Sequence, residues 1–423
     1  MAKTFGRRSM PDIAEVVGKA VGADAPIRFR AFDGSRYGPA DAEVQISLES
    51  RRALSYLATA SGELGLARAF VTGEMRVEGS LHTALALLTR AEVAQVSLGE
   101  RLRLLRAFGP AILRPQPLPP QEVGRGLLGR GLRHARRRDA AAISHHYDVS
   151  NLFYSWVLGP SMAYTCAVYP TTESTLEQAQ TEKFDLVCRK LGLEPGMRLL
   201  DVGCGWGGMV LHAAREYGVR VLGVTLSRQQ AEWGAKAIAE AGLSETAEIR
   251  HLDYRDVNEP GFDAISSIGL TEHIGVRNYA SYFRHLHRRL RPGGRLLNHS
   301  IMRPTTTEPA IWPKGFINRY VFPDGEITGL GTVVTAMQDN GFEPRHTENL
   351  REHYALTLAA WCRNLDDHWD EAVAEVGIGT ARVWALYMAA SQLGFEQNRI
   401  QLHQILGVRA DSGNAGMPLR PNW

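Results

Sequence analysis

The chain has 423 residues, 44% apolar and 22% charged, with a formal net charge of +3. That is the make-up of an ordinary globular protein, long enough for two domains. No apolar run is as long as a membrane span, and the stretch from Met1 to Arg8 lacks a signal core, so the expectation is a cytoplasmic protein touching membranes only peripherally, at the inner face.

Residues 1–108 read as a small mixed α/β domain. Ile27 to Phe32 and Val44 to Leu48 alternate apolar and polar residues, as half-buried strands do, and Asp33-Gly34-Ser35 is turn chemistry. Arg51 to Ala60 and Leu81 to Ala91 have helical periodicity. Five prolines (110, 115, 117, 119 and 120) and a Gly/Arg-rich stretch then mark a linker over 109–139. Ten arginines fall between Arg101 and Arg138 against one acid, Glu122. Such a patch points to an anionic partner, a membrane surface or a nucleic acid. The first domain is accordingly expected to serve membrane association or dimerisation.

Residues 140–423 form the second domain. A helix is predicted over His145 to Leu158. Predicted strands at Arg198–Val202, Val219–Val224, Glu248–Leu252, Asp263–Ile268 and Arg295–Ser300 alternate with helices at Met209–Tyr217, Gln229–Ala241 and Tyr279–Leu290. The last strand follows a Pro292-Gly293-Gly294 turn. This alternation predicts a doubly wound sheet. The four cysteines (166, 188, 204 and 362) have neither metal-like nor disulfide-like spacing, and no metal is expected.

The first strand runs into Asp201-Val202-Gly203-Cys204-Gly205-Trp206-Gly207. Glycines there let a ligand lie against bare backbone at a helix N-terminus. The spacing is tighter than the dinucleotide G-x-G-x-x-G and has the Asp-x-Gly-x-Gly form usual in S-adenosylmethionine (SAM) methyltransferases. The predicted fold is therefore a class I SAM-methyltransferase, Rossmann-like doubly wound α/β sheet with a smaller N-terminal mixed domain. The turn after the second strand, Thr225-Leu226-Ser227 followed by Gln230, has no carboxylate for a ribose, so Thr225 and Gln230 are the expected partners. Asp253, in Asp253-Tyr254-Arg255-Asp256, is placed to accept from the adenine amine.

Several ordered motifs resemble the cyclopropane-fatty-acid synthase family of lipid methyltransferases. They are His146-Tyr147-Asp148-Val149-Ser150-Asn151, Tyr164-Thr165-Cys166-Ala167, the glycine turn, Ser267-Ile268-Gly269 with Glu272-His273, Leu296 with His299 and Ile301, Tyr320 with Phe322-Pro323, and His353-Tyr354. The resemblance implies methylation of an acyl-chain double bond in a membrane phospholipid, with SAM as donor and a bound bicarbonate as base. It also implies SAM contacts from Tyr164, Thr165, Asp201, Gly203, Gly205, Gly207, Thr225, Leu226, Gln230, Asp253 and Tyr254. The bicarbonate ligands would be the backbone near Cys166 and at Ile301 and the side chains of Glu272, His299 and Tyr354. The substrate alkene leaves a carbocation, for which Tyr147, Tyr164, Tyr320, Phe322 and Tyr354 are candidate stabilising rings. Loss of a proton from the delivered methyl gives a cyclopropane, the favoured product; loss from the chain gives a methylene branch, which would call for a reductase partner. A homodimer is compatible with the family.

Two positions depart from the family pattern. Leu152 stands where an acid often follows Ser-Asn, and Ser391 stands four residues before Phe395 in place of a frequent cysteine, which excludes a covalent cysteine mechanism there. The competing reading, an RNA methyltransferase holding phosphates on the arginine stretch, calls for interleaved aromatics. Residues 101–138 contain only Phe108, so no nucleic-acid partner is expected.

Overall fold

The computed structural model describes residues 12–22, 25–60, 62–90, 109–123, 133–136, 138–139, 150–312 and 315–423. These fall into two compact units. One draws on Met1–Val123, Lys314–Tyr320 and Gly377–Leu393; the other draws on Gly124–Pro313, Val321–Val376 and Gly394–Trp423. The sequence reading had placed 140–423 in a single domain. The structure instead assigns two late segments to the first unit.

In that first unit, strands β1 (Ile27–Ala31), β2 (Arg36–Tyr37), β3 (Val44–Leu48) and β4 (Met75–Glu78) form a sheet in the order β2-β1-β3-β4. Phe29 and Ile46 pair across β1 and β3 and meet Ile13, Val17, Leu54 and Leu88 in one core. Ser50 starts helix Arg51–Thr59 by accepting from the Arg52 N–H. The buried Glu122 carboxylate accepts two guanidinium bonds of 2.7 Å from Arg68 and the Tyr320 hydroxyl at 3.2 Å, the kind of pairing a buried charge requires. Tyr320, expected among the cation-facing rings, therefore belongs to the first unit with its hydroxyl committed to Glu122.

The second unit is built on seven strands: β5 (Arg198–Val202), β6 (Arg220–Thr225), β7 (Ala247–His251), β8 (Phe262–Ile268), β9 (Leu290–Met302), β10 (Glu343–Asn349) and β11 (Gln401–Val408), ordered β10-β11-β9-β8-β5-β6-β7. The first five are mutually parallel, while β11 runs antiparallel between β9 and β10. Both faces are covered, which explains the near-continuous apolar strands. Leu199 and Val221 join one core layer; Leu200, Val202 and Val224 join the other, because side chains alternate along a strand.

Strand β9 starts at Leu290, ahead of the expected Pro-Gly-Gly turn. Its pairing jumps from Phe262–Leu290 to Ala264–Arg295, so the tripeptide is a bulge inside the strand. Helix Asn151–Leu158 begins at Ser150, whose hydroxyl accepts from the Phe153 N–H; its expected start at His145, and with it Tyr147, lies outside the described residues. No helix among the described residues is long and apolar enough to cross a membrane.

Candidate active site

The functional motifs converge at the carboxyl ends of β5 to β9, where open α/β sheets bind ligands. A cavity there is lined by Tyr164, Thr165, Asp201, Gly203, Gly205, Thr225, Leu226, Gln230 and Tyr254, together with Lys183, Leu252, Arg255, Ile268, Leu270 and His273. Gly205 has φ of +55°, and a Cβ built on it would meet nothing within 4 Å. The glycine thus presents open space to the cavity. Gly207 has a different job, since a Cβ there would come within 2.5 Å of Ile249 Cδ1.

Two expected contacts, Thr225 and Asp253, are arranged differently from the sequence reading. The Thr225 hydroxyl donates to Gln230 Oε1 at 2.8 Å and accepts from the Ser227 N–H, so Thr225 orients Gln230, whose –NH2 is uncommitted within that pair. Asp253 does not line the cavity. It accepts from the backbone N–H, Nε and Nη2 of Arg255; burial alone would raise its carboxyl, but these bonds outweigh it and hold the pKa below the ordinary value. Leu252, Tyr254 and Arg255 line the cavity instead.

Helix Leu176–Leu191 carries functional residues that the sequence reading missed. Gln180 donates through Nε2 to the carbonyls of Ala163 (3.3 Å) and Thr165 (2.9 Å), clamping the loop that presents Tyr164. Lys183 donates to Thr165 Oγ1 at 3.1 Å and lines the cavity beside Asp201. Burial pushes its ammonium down to about 7, against the attraction of Cys166 and Asp201. Burial pushes Asp201 up to about 6, opposed by the 2.6 Å bond from Ser266 Oγ and by Lys183. The missed signal was polar residues at 180, 183 and 190 on the helix's buried side, where apolar ones belong.

The expected anion ligands lie just beyond this cavity, and none of them lines it. Glu272 accepts the Ile301 N–H through Oε1 at 2.7 Å, so that backbone donor is engaged by Glu272 and is not open to an anion. Glu272 Oε2 and His299 Nε2 are buried with no hydrogen-bond partner among the described residues. Burial raises Glu272 to about 7 and drives His299 well below its ordinary value, so the imidazole is neutral. The Cys166 thiol points to the carbonyls of Ala167 and Leu350, and burial raises its pKa far above the normal range, which removes it as a nucleophile. The Leu350 carbonyl also receives the Tyr354 N–H, tying that turn to Cys166.

A file of rings connects the two regions. Trp206, whose Nε1 donates to Asn151, lies 4.8 Å from Tyr154; the series continues through Tyr164, Trp361 and Tyr354 to Phe395, the last pair 4.5 Å apart. Phe322 meets His273 edge-on at 5.5 Å.

The family model for mycolic acid cyclopropane synthetase matches residues 134–405. The chain belongs to that family. Among its relatives, the probable fatty acid methyltransferase Rv3720 of Mycobacterium tuberculosis is 53% identical over 428 residues, a match that covers 99% of both chains. The solved cyclopropane synthase MmaA2 of the same organism superposes with a TM-score of 0.60 at 33% identity, covering 65% of this chain and 98% of that one. The mycolic acid cyclopropane synthase CmaA1, solved with SAH and CTAB, gives 0.60 at 32% identity over 64% and 98% of the two chains. The protein is a SAM-dependent methyltransferase of the cyclopropane synthase family acting on lipid.

The arginine stretch has a structural role as well. Arg138 makes two 2.6 Å bonds to Asp324, with both side chains buried. Arg136 pairs with Asp256, and Arg133 also approaches Asp324, at 3.8 Å. His134 faces the His273 carbonyl through Nδ1 (3.0 Å) and Glu326 through Nε2 (3.2 Å). Of these arginines, expected to face a membrane, Arg138 is buried against Asp324, while Arg136 stays exposed in a surface pair with Asp256. Arg101, Arg103, Arg106, Arg125, Arg130 and Arg137 lie outside the described residues.

Proposed function

We propose that the enzyme methylates the double bond of an unsaturated acyl chain in a membrane phospholipid and closes a cyclopropane ring. The alkene's π electrons form the new C–C bond to the methyl as the C–S bond breaks, which leaves a cation on the neighbouring chain carbon. Loss of a proton from the delivered methyl then returns an electron pair that closes the ring. The observation that carries this reading is the pair of unpartnered buried atoms, Glu272 Oε2 and His299 Nε2, next to the methyl-donor cavity. Such atoms are costly unless something occupies them.

A bicarbonate ion suits that donor set, because His299 Nε2 can donate to its oxygens and Glu272 can accept its hydroxyl. When bound, it supplies the base for the departing proton. The residues themselves hold SAM against Gly203 and Gly205, orient the anion, and exclude water with the rings from Tyr154 to Phe395, whose faces stabilise a nearby cation.

A second reading, in which the proton leaves the chain and a methylene branch results, fits the name of the 53% identical relative, a probable fatty acid methyltransferase, equally well. Lipids from a host expressing the chain separate the readings. Mass spectrometry is expected to show acyl chains heavier by one CH2, and NMR to show upfield cyclopropane protons; olefinic methylene protons would establish the branch instead. No mass gain would overturn both. Membrane attachment we assign to the arginines from Arg101 to Arg130, each worth about 1 kcal/mol near an anionic surface. Arg125→Gln with Arg130→Gln is expected to reduce sedimentation with anionic vesicles, and unchanged sedimentation would refute the assignment.

A further inference from the structure

We propose that Gln404 sets the tautomer of His299, and that Lys190, anchored by Glu348, sets the orientation of Gln404. This rests on the reading of His299 Nε2 as an anion donor. Gln404 stands directly opposite Glu348 on β10 and opposite His299 on β9. Residues opposed in antiparallel strands share a face, so the three side chains form one row across the sheet. Lys190 descends onto this row from helix Leu176–Leu191, fully buried, with Nζ 2.7 Å from Gln404 Oε1 and paired to Glu348 Oε2.

The logic of donors and acceptors then runs one way. An ammonium has three donors and no acceptor, so the Gln404 atom facing it has to be the carbonyl oxygen. That turns the –NH2 toward His299 Nδ1, 3.3 Å away. An amide –NH2 only donates, so Nδ1 presents its lone pair. The ring is neutral, since burial and the charges of Lys183 and Lys190 all oppose its protonation. Its single proton is therefore on Nε2, the buried atom without a partner among the described residues. The opposite tautomer would turn a lone pair toward an anion. Gln404 and Lys190 are thus positioning residues, and the row accounts for a lysine buried at the expense of its hydration.

The test is the 15N spectrum of the histidine-labelled full chain, with the His299 signals assigned by their loss in His299→Asn. Wild type is expected to show a bare Nδ1 and a protonated Nε2. Gln404→Glu keeps the shape but puts an acceptor against Nδ1, so the proton is expected to move there and kcat to fall at least tenfold with the KM for SAM unchanged. Lys190→Met frees the amide to rotate and is expected to give mixed tautomers, with Lys190→Arg restoring the wild-type signature. A wild-type ring protonated on Nδ1 overturns the proposal even if no variant folds. Activity loss in Gln404→Glu with an unmoved signature also overturns it, leaving the row merely structural. A signature that follows Gln404 while the wild type runs at full rate without carbonate keeps the relay and overturns the anion reading alone.

Discussion

At the scale of single residues, Gly205 and Glu272 offer the cleanest separation of function from fold. Gly205→Ala places a methyl in open cavity space and costs only about 1–2 kcal/mol for the left-handed backbone. SAM affinity by calorimetry should fall at least tenfold while the circular dichroism spectrum is retained; undiminished affinity would remove the glycine turn from the cofactor site. Glu272→Gln should lose most turnover and keep SAM binding. It should also stabilise the protein with a definite pH dependence. The Glu272 pKa rises from 4.5 to about 7 on folding, so the wild type's stability from this group is fully present below 4.5 and is lost as pH climbs to about 7. The variant's advantage in Tm should therefore grow across that window and level off above it. Lys183→Met should weaken SAM binding if the buried ammonium faces the donor's carboxylate, and an unchanged Kd would make Lys183 a purely structural group. Glu272 and the glycines were legible in the sequence because each sits in a motif that follows a strand, and His299 because it lies near the carboxyl end of one. Gln180, Lys183, Lys190 and Gln404 were not, since their roles come from which side of a helix or strand the fold buries.

At the scale of elements, residues 133–139 matter more than a linker reading suggests. Asp139 lines the SAM cavity, and the Arg138–Asp324 pair beside it is buried. Arg138→Gln strands a buried carboxylate and should cost about 3–5 kcal/mol in a denaturant melt, where a surface arginine would cost almost nothing. His134 adds a pH signature. Burial opposes its protonation, yet Glu326 and the His273 carbonyl outweigh that and raise its pKa above 6.5. Its contribution is fully present below pH 6.5 and fades as pH rises through the higher folded value. The Tm gap between wild type and His134→Gln should shrink accordingly, and a gap constant with pH would disprove the ion pair. The central parallel strands β5, β6 and β8 were readable because burial on both faces makes them largely apolar runs. Strand β10, Glu-Pro-Arg-His-Thr-Glu-Asn, carries no such pattern, being an edge that only β11 pairs.

At the scale of the molecule, the first unit takes its residues from three separate stretches. Glu63 receives the Phe316 N–H, and Glu122 the Tyr320 hydroxyl, so contacts that complete this unit arrive from beyond residue 300. A fragment ending at residue 139 should therefore be digested by protease faster than the same region of the whole chain; equal resistance would show that the first stretch folds alone. No local pattern in Phe316 to Tyr320 discloses this, because membership of a core is decided by long-range packing. The placement of β11 carries a consequence of another kind, in time. Its neighbours β9 and β10 are both made before it, and β10 has no other strand to pair with. During synthesis the polypeptide from Asn349 to Gln401 must emerge first, a wait of roughly 3–10 s at ~5–20 residues per second. Through that interval β9 exposes its edge from Arg295 to Met302, His299 included, an open edge able to recruit a wrong strand. The nascent chain is then at its most aggregation-prone, and on the proposed relay His299 acquires a proton of defined address only when Gln404 slots in beside it.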